Sequence, residues 1–201
     1  MLSRDEVVAR IEESIRVHRA LSEQAELLRS MAGEWTAAIR RGNQILFFGN
    51  GGSAADAQHW ACELSGRFYL DRRPVPAQAL TVNSSNLTAI ANDYGYDEVF
   101  ARQLEGVGRS GDVAVGISTS GNSVSVIKAL HSARALGMIT MGFTGRTGGE
   151  MRALVDHWLG IDSTDTPRIQ EGHELAGHLI CELTERELFE SETVEGKPGR
   201  S

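Results

Sequence analysis

The chain has 201 residues, 41% of them hydrophobic and 23% charged, with 22 glycines and a formal net charge of -7. That length fits one domain with its own buried core, and an acidic chain without a run of Lys and Arg is a poor binder of a nucleic-acid backbone. No stretch approaches the roughly 20 apolar residues of a membrane span, and the charged opening MLSRDEVVARIEESIRVHRA lacks an apolar leader, so a cytoplasmic protein is expected.

Residues 1–41 read as a helical arm. Val7, Ile11, Ile15, Val17, Leu21, Leu27, Leu28 and Met31 form an apolar stripe with charges between. Two helices are expected, with a break near Ala32 and Gly33, packed on the main domain or on another subunit. From residue 42 short apolar runs alternate with helical ones. Strands are expected at 45–48, 79–82, 112–117, 138–143 and 155–161. Helices are expected at 54–66, 86–91, 98–107, 123–136, 149–154 and 168–189. Apolar strands separated by helices predict an α/β fold: a doubly wound five-stranded parallel sheet flanked by helices, spanning 42–190. The polar residues 191–201 are expected to be a disordered tail. Cys62 and Cys181 fall in predicted helices without a CxxC partner, which reads as two reduced core residues.

Two strand–loop–helix units stand out. In ILFFGNGGSAADAQHW a buried strand runs into Asn50-Gly51-Gly52-Ser53 and then a helix. In DVAVGISTSGNSVSVIKAL a strand runs into Ser118-Thr119-Ser120-Gly121-Asn122-Ser123 and then a helix. Glycine lets the backbone turn tightly, the free N–H groups of a helix start attract anions, and hydroxyls add neutral donors. Each loop alone is also an ordinary turn or cap. Together, with hydroxyls crowded in the second, they point to a phosphate. Gly49-x-Gly51-x-x-Ala54 also fits a loose dinucleotide pattern, but Asp71, at the spacing of its acidic partner, precedes the next strand instead of ending it. No GK[ST] follows either loop, which argues against an ATP-type site.

His59 and Glu63 stand four apart on the helix after the first loop, hence on one face. Near the other end, RIQEGHELAGHLICEL offers Gln170, His173, Glu174 and His178, with Glu174 and His178 again four apart. Gln170 and His178 lie about 12 Å apart along an ideal helix axis, so one metal would have to sit between them. Each of these residues alone would be an ordinary solvated side chain. As a His/Glu/Gln/His set they have the chemistry of a Zn²⁺ site, although Gln is an uncommon ligand.

Five separated segments, GNGGSAADAQHWACEL, LTAIANDYGYDEVFARQLE, GDVAVGISTSGNS, FTGRTGGEM and STDTPRIQEGHELAGHLICELTERELF, resemble in order the phosphoheptose isomerases of the sugar isomerase (SIS) domain class, over about residues 40–190. The resemblance implies the SIS fold, a homotetramer with active sites at subunit interfaces, and a sugar-phosphate substrate, with no nucleic acid and no membrane. It implies conversion of D-sedoheptulose 7-phosphate to D-glycero-D-manno-heptose 7-phosphate, toward activated heptose. By the same resemblance Ser53, Ser118, Thr119, Ser120 and Ser123 bind phosphate, and Asn50, Gly51 and Gly52 shape the first loop. Glu63 and His178 form the acid–base pair. One zinc per subunit is held by His59, Glu63, Gln170 and His178, with Gln170 also on the substrate, and Asp93 touches sugar hydroxyls. VNSSNLTAI and FYLDRRPVP are departures expected to lie near the sugar. One rival is a relative that binds the replication initiator protein without catalysis. It lacks the Glu and the second His that this chain retains. A sugar-sensing domain of a transcription factor is a further rival, without a helix-turn-helix unit or basic patch here to support it.

Overall fold

The structure is a computed structural model and describes residues 2–193. The rest of the expected tail lies outside the described residues. Seven α-helices and five strands alternate along these residues: α1 Arg4–Leu21, α2 Ala25–Arg40, β1 Ile45–Gly49, α3 Gly52–Ser65, β2 Ala77–Ala79, α4 Ser84–Tyr94, α5 Ala101–Val107, β3 Val113–Ile117, α6 Val124–Ala135, β4 Ile139–Gly145, β5 His157–Ile161 and α7 Thr166–Thr193. All strand pairs are parallel, in the order β2-β1-β3-β4-β5. The five-stranded parallel sheet expected from the sequence is the sheet observed.

The order fixes where a ligand can sit. The chain leaves β1 toward β2 on one side and returns to β3 on the other. The crevice at the carboxyl ends of β1 and β3 is therefore the switch point of the sheet. Both Ser- and Gly-rich loops open into it.

Alternate residues of β1 feed the two faces of the sheet. Phe47 joins a core built with α1, α2, α3 and α7 that includes Trp35, Trp60 and Phe143. Its neighbour Phe48 joins the opposite core, with Phe100, Leu104, Val126 and Leu130. Each such fully buried side chain contributes about 1.5–3 kcal/mol relative to exposure. Trp60 is wedged between Phe47 and Phe143, with ring centroids 6.0 and 4.9 Å away. α3, the helix carrying His59 and Glu63, is thereby anchored to the sheet.

Some boundaries differ from expectation. The helical arm breaks at Ser22–Gln24, a 3-10 turn, and runs straight through Gly33. The Ser22 hydroxyl donates to the Arg19 carbonyl oxygen at 2.6 Å, competing with the helix ladder there. β2 lies two residues earlier than expected, because pairing with β1 decides an edge strand's position more than its own composition does. The segments 149–154 and 98–107 begin as, or consist of, 3-10 turns, at Glu150–Ala153 and Tyr96–Glu98. α7 continues to Thr193. Cys181 is buried as expected, but Cys62 is exposed, on the outer face of α3.

Candidate active site

The second loop folds into a knot of hydroxyls. Ser118 Oγ lies 2.9 Å from Ser123 Oγ and 3.4 Å from Ser120 Oγ. Ser123 occupies the N-cap of α6, yet its side chain makes no capping bond. Its hydroxyl is turned to Ser118 instead, which leaves the start of α6 open to an anion. Thr119 and Ser120 line a cavity of about 290 Å³ with Arg146, Thr147, Ser163 and Thr166, at the ends of β3, β4 and β5.

Asn50 ties the first loop to the first turn of α6 and to the turn before α5. Its Nδ2 donates to Ser125 Oγ at 3.0 Å, and its Oδ1 accepts from the Tyr96 hydroxyl at 2.8 Å. Ser53 is buried in the first turn of α3. Gly52 is where α7 meets this loop: a Cβ there would collide with the Gln170 carboxamide. Gln170 thus reaches the loop after β1, away from His178 further along α7.

Further from the loops, α3 and α7 bring four side chains together. His59 Nε2 is 3.1 Å from Glu63 Oε1 and 3.4 Å from His178 Nε2. His178 Nε2 is 3.3 Å from Glu174 Oε1. His59 Nδ1 also lies against Glu174 Oε1. The two imidazoles meet edge to face at 4.8 Å, and Phe68 covers His178 with ring centroids 5.7 Å apart. His59 and Glu63 on α3 thus meet His178 on α7 from positions more than 100 residues apart.

Sequence reasoning noted Glu174 only as a neighbour of His178 and gave it no role. Its spacing of four to His178 was a usable signal; its contact with His59 depends on how α3 and α7 pack. Asp56, one turn before His59, was missed. Burial, with Glu174 nearby adding to it and His59 opposing, pushes its carboxyl up to about 7. Asp93 is exposed, accepts from Asn92 Nδ2 at 2.8 Å, and lines a separate cavity of about 380 Å³ with Asn86, Ile90, Tyr94 and Arg102. The structure does not bring it to the histidines within one chain.

The donor atoms suit a divalent cation. Tetrahedral zinc, with bonds of about 2.0–2.2 Å, spaces its ligand atoms roughly 3.3 Å apart. His59 Nε2 and His178 Nε2, 3.4 Å apart, match that edge, and Glu63 Oε1 stands 3.1 Å from His59 Nε2. Glu174 Oε1 is buried without a hydrogen bond of regular geometry, facing imidazole nitrogens. Among the described residues, His59, Glu174 and His178 form a group whose ligand atoms all lie within 4.8 Å of one another.

Known proteins match this arrangement over most of its length. The model of the SIS domain family matches residues 11–145. A phosphoheptose isomerase of Desulfovibrio desulfuricans is 55% identical over 170 residues, covering 85% of this chain and 81% of that one. A phosphoheptose isomerase of Aneurinibacillus thermoaerophilus is 49% identical over 196 residues, covering 96% and 99%. The solved phosphoheptose isomerase GmhA of Neisseria gonorrhoeae superposes with a TM-score of 0.86 at 41% identity, covering 90% of this chain and 98% of that one.

Proposed function

The chain belongs to the phosphoheptose isomerases of the SIS domain family, sugar-phosphate isomerases of heptose biosynthesis, and from that premise we propose that it interconverts D-sedoheptulose 7-phosphate and D-glycero-D-manno-heptose 7-phosphate. The observation that carries the mechanism is that His59 Nε2 stands 3.1 Å from Glu63 Oε1 and 3.4 Å from His178 Nε2, in a chain whose loop after β3 is lined with hydroxyls and uncapped.

Ser53, Ser118, Thr119, Ser120 and Ser123 hold the phosphate, with the N–H groups at the starts of α3 and α6, in loops shaped by Asn50, Gly51 and Gly52. Gln170, lying against Gly52, fixes the chain of the sugar behind it. Glu63 removes the proton from the carbon beside the carbonyl, and His178 protonates the carbonyl oxygen, giving an enediol. Glu63 then returns a proton to the neighbouring carbon, while the other hydroxyl gives its proton back to His178. Atoms and charge balance, and no external reductant is needed. His59, Glu63, Gln170 and His178 are the residues proposed to hold one zinc per subunit, Gln170 by turning its carboxamide away from Gly52 toward the histidines. When bound, zinc supplies positive charge that lowers the cost of negative charge on the substrate oxygens. Zinc ligation lowers the basicity of Glu63, so its two roles oppose each other.

A homotetramer with interfacial sites is part of this proposal. Val7, Val8 and Ile11 of α1 are 46%, 41% and 54% exposed, an apolar face that suits burial by another subunit. Asp93, away from the histidines in its own chain, would meet sugar hydroxyls across such a boundary. A phosphorylated sugar does not cross a membrane unaided, so the proposed compartment is the cytoplasm.

The test is to incubate purified protein with sedoheptulose 7-phosphate and follow the aldose by NMR. Formation of the aldose heptose phosphate is expected. Binding of the replication initiator protein without turnover would favour the regulator instead.

A further inference from the structure

Glu174 belongs to neither the phosphate loops nor the proposed acid–base pair, yet α7 is built around it. Gly177 sits in the interior of the 28-residue α7, where glycine costs up to about 1 kcal/mol relative to alanine. The reason is spatial: a Cβ at Gly177 would collide with the Trp60 indole. That gap lets Trp60 lie flat on α7, and its Nε1 donates to Glu174 Oε2 at 3.2 Å. The indole is itself fixed by Phe47 and Phe143. One carboxylate oxygen is thus held from the core. The other, Oε1, is buried against His59 Nδ1, with His178 Nε2 further off at 3.3 Å.

We propose that Glu174 is a positioning residue for His59, holding the Nδ1 side of the ring so that Nε2 is presented to a divalent cation shared with Glu63 and His178. A neutral imidazole has one N–H and one lone pair, and the partner of one nitrogen decides what the other offers. With Nδ1 against Glu174, the lone pair falls on Nε2. That is the nitrogen standing 3.1 Å from Glu63 Oε1 and 3.4 Å from His178 Nε2. A carboxylate behind a metal-binding histidine fixes the tautomer, orients the ring and raises its basicity as a ligand. The path runs from Gly177 through Trp60 and Glu174 to His59, so the core sets the ligand's orientation. This inference rests on the reading above that zinc occupies the site.

The experiment is a zinc titration of metal-stripped protein against a chromophoric chelator, with turnover measured separately. Glu174→Leu should weaken zinc binding by roughly 10- to 100-fold, the usual loss for such a partner. Glu174→Gln, whose amide oxygen still accepts from Nδ1–H, should stay within about threefold of wild type. His59→Gln should fall below both. Trp60→Phe, which keeps an aromatic in the core but removes the indole N–H, should weaken zinc several-fold, and it decides the matter should the Leu variant fail to fold. Wild-type affinity in Glu174→Leu or in Trp60→Phe overturns the proposal. So does a Glu174→Gln variant as weak as His59→Gln, which would make Glu174 a direct ligand, and so does a wild type that takes up no zinc. Wild-type protein that binds zinc with the expected ranking but leaves sedoheptulose 7-phosphate unchanged would sink the proposed reaction and leave this inference standing.

Discussion

His173 is fully buried, with Nε2 3.0 Å from the Thr144 carbonyl oxygen, and desolvation pulls its pKa down to about 4 against the bond to that carbonyl. Between about 4 and its ordinary value of 6.5 the unfolded chain binds the extra proton and the folded one does not. Stability therefore rises with pH across that window and is lost as pH falls through it, by an amount on the order of 3 kcal/mol. His173→Gln, which can still donate to Thr144, should flatten the acid limb of a melting-temperature profile; an unchanged limb would place the acid sensitivity elsewhere. At Ser123 the expected effect is on binding. If Ser123 holds the phosphate as proposed, Ser123→Ala removes one donor to it, about 1.5–3 kcal/mol, so KM should rise roughly 10- to 100-fold with kcat little changed in steady-state kinetics. The hydroxyl loops were legible in the sequence because strand, loop and helix start are contiguous, and local chemistry dictates their form. The roles of Glu174 and Trp60 were not, since they exist only where α3 and α7 touch.

The segment 66–74 between α3 and β2 is strapped to α7 by a buried ion pair. Glu185, 1% exposed, accepts from the backbone N–H groups of Phe68, Tyr69 and Leu70 and from Arg72 Nε at 2.8 Å. Arg72, 3% exposed, also donates to the carbonyl oxygens of Glu63, Leu64 and Gly66, closing the end of α3. Burial alone would raise the Glu185 carboxyl, but the three backbone bonds and Arg72 hold it below its ordinary value. Its contribution is present above the usual carboxylate range and lost as pH falls through the lowered folded value. Glu185→Ala strands a buried guanidinium and should cost about 3–5 kcal/mol in denaturant unfolding; a loss under 1 kcal/mol would refute the strap. Gly177→Ala should cost about 1–3 kcal/mol by overpacking against Trp60, read by the same unfolding curves. The sequence marked FYLDRRPVP as a loop near the sugar, but not its anchor more than 100 residues later. It also put the break in the helical arm at Gly33. Gly33 lies inside α2 without a positive φ, so that glycine marks no turn. The break follows the Ser22 hydroxyl instead.

Across the whole molecule, alternation of apolar strands and helices was enough to foresee a five-stranded parallel sheet, since parallel strands are buried on both faces and must be apolar throughout. That topology brings the loops after β1 and β3 to one crevice, and the packing of α7 on α3 brings His178 to His59, one turn from Glu63. The proposed tetramer has its own check: Ile11→Glu, on the exposed face of α1, should reduce the mass seen by light scattering and lower activity with it, while an unchanged mass would leave that face outside the interface. The central claim is proton transfer by Glu63 on a sugar phosphate, and turnover in D₂O by wild-type and Glu63→Gln protein tests it most directly. Wild type should convert sedoheptulose 7-phosphate to the aldose with deuterium entering the carbon beside the new carbonyl, and Glu63→Gln, with an unaltered melting temperature, should lose at least about 1000-fold in kcat, some 4 kcal/mol. Near-normal turnover by Glu63→Gln would contradict the account.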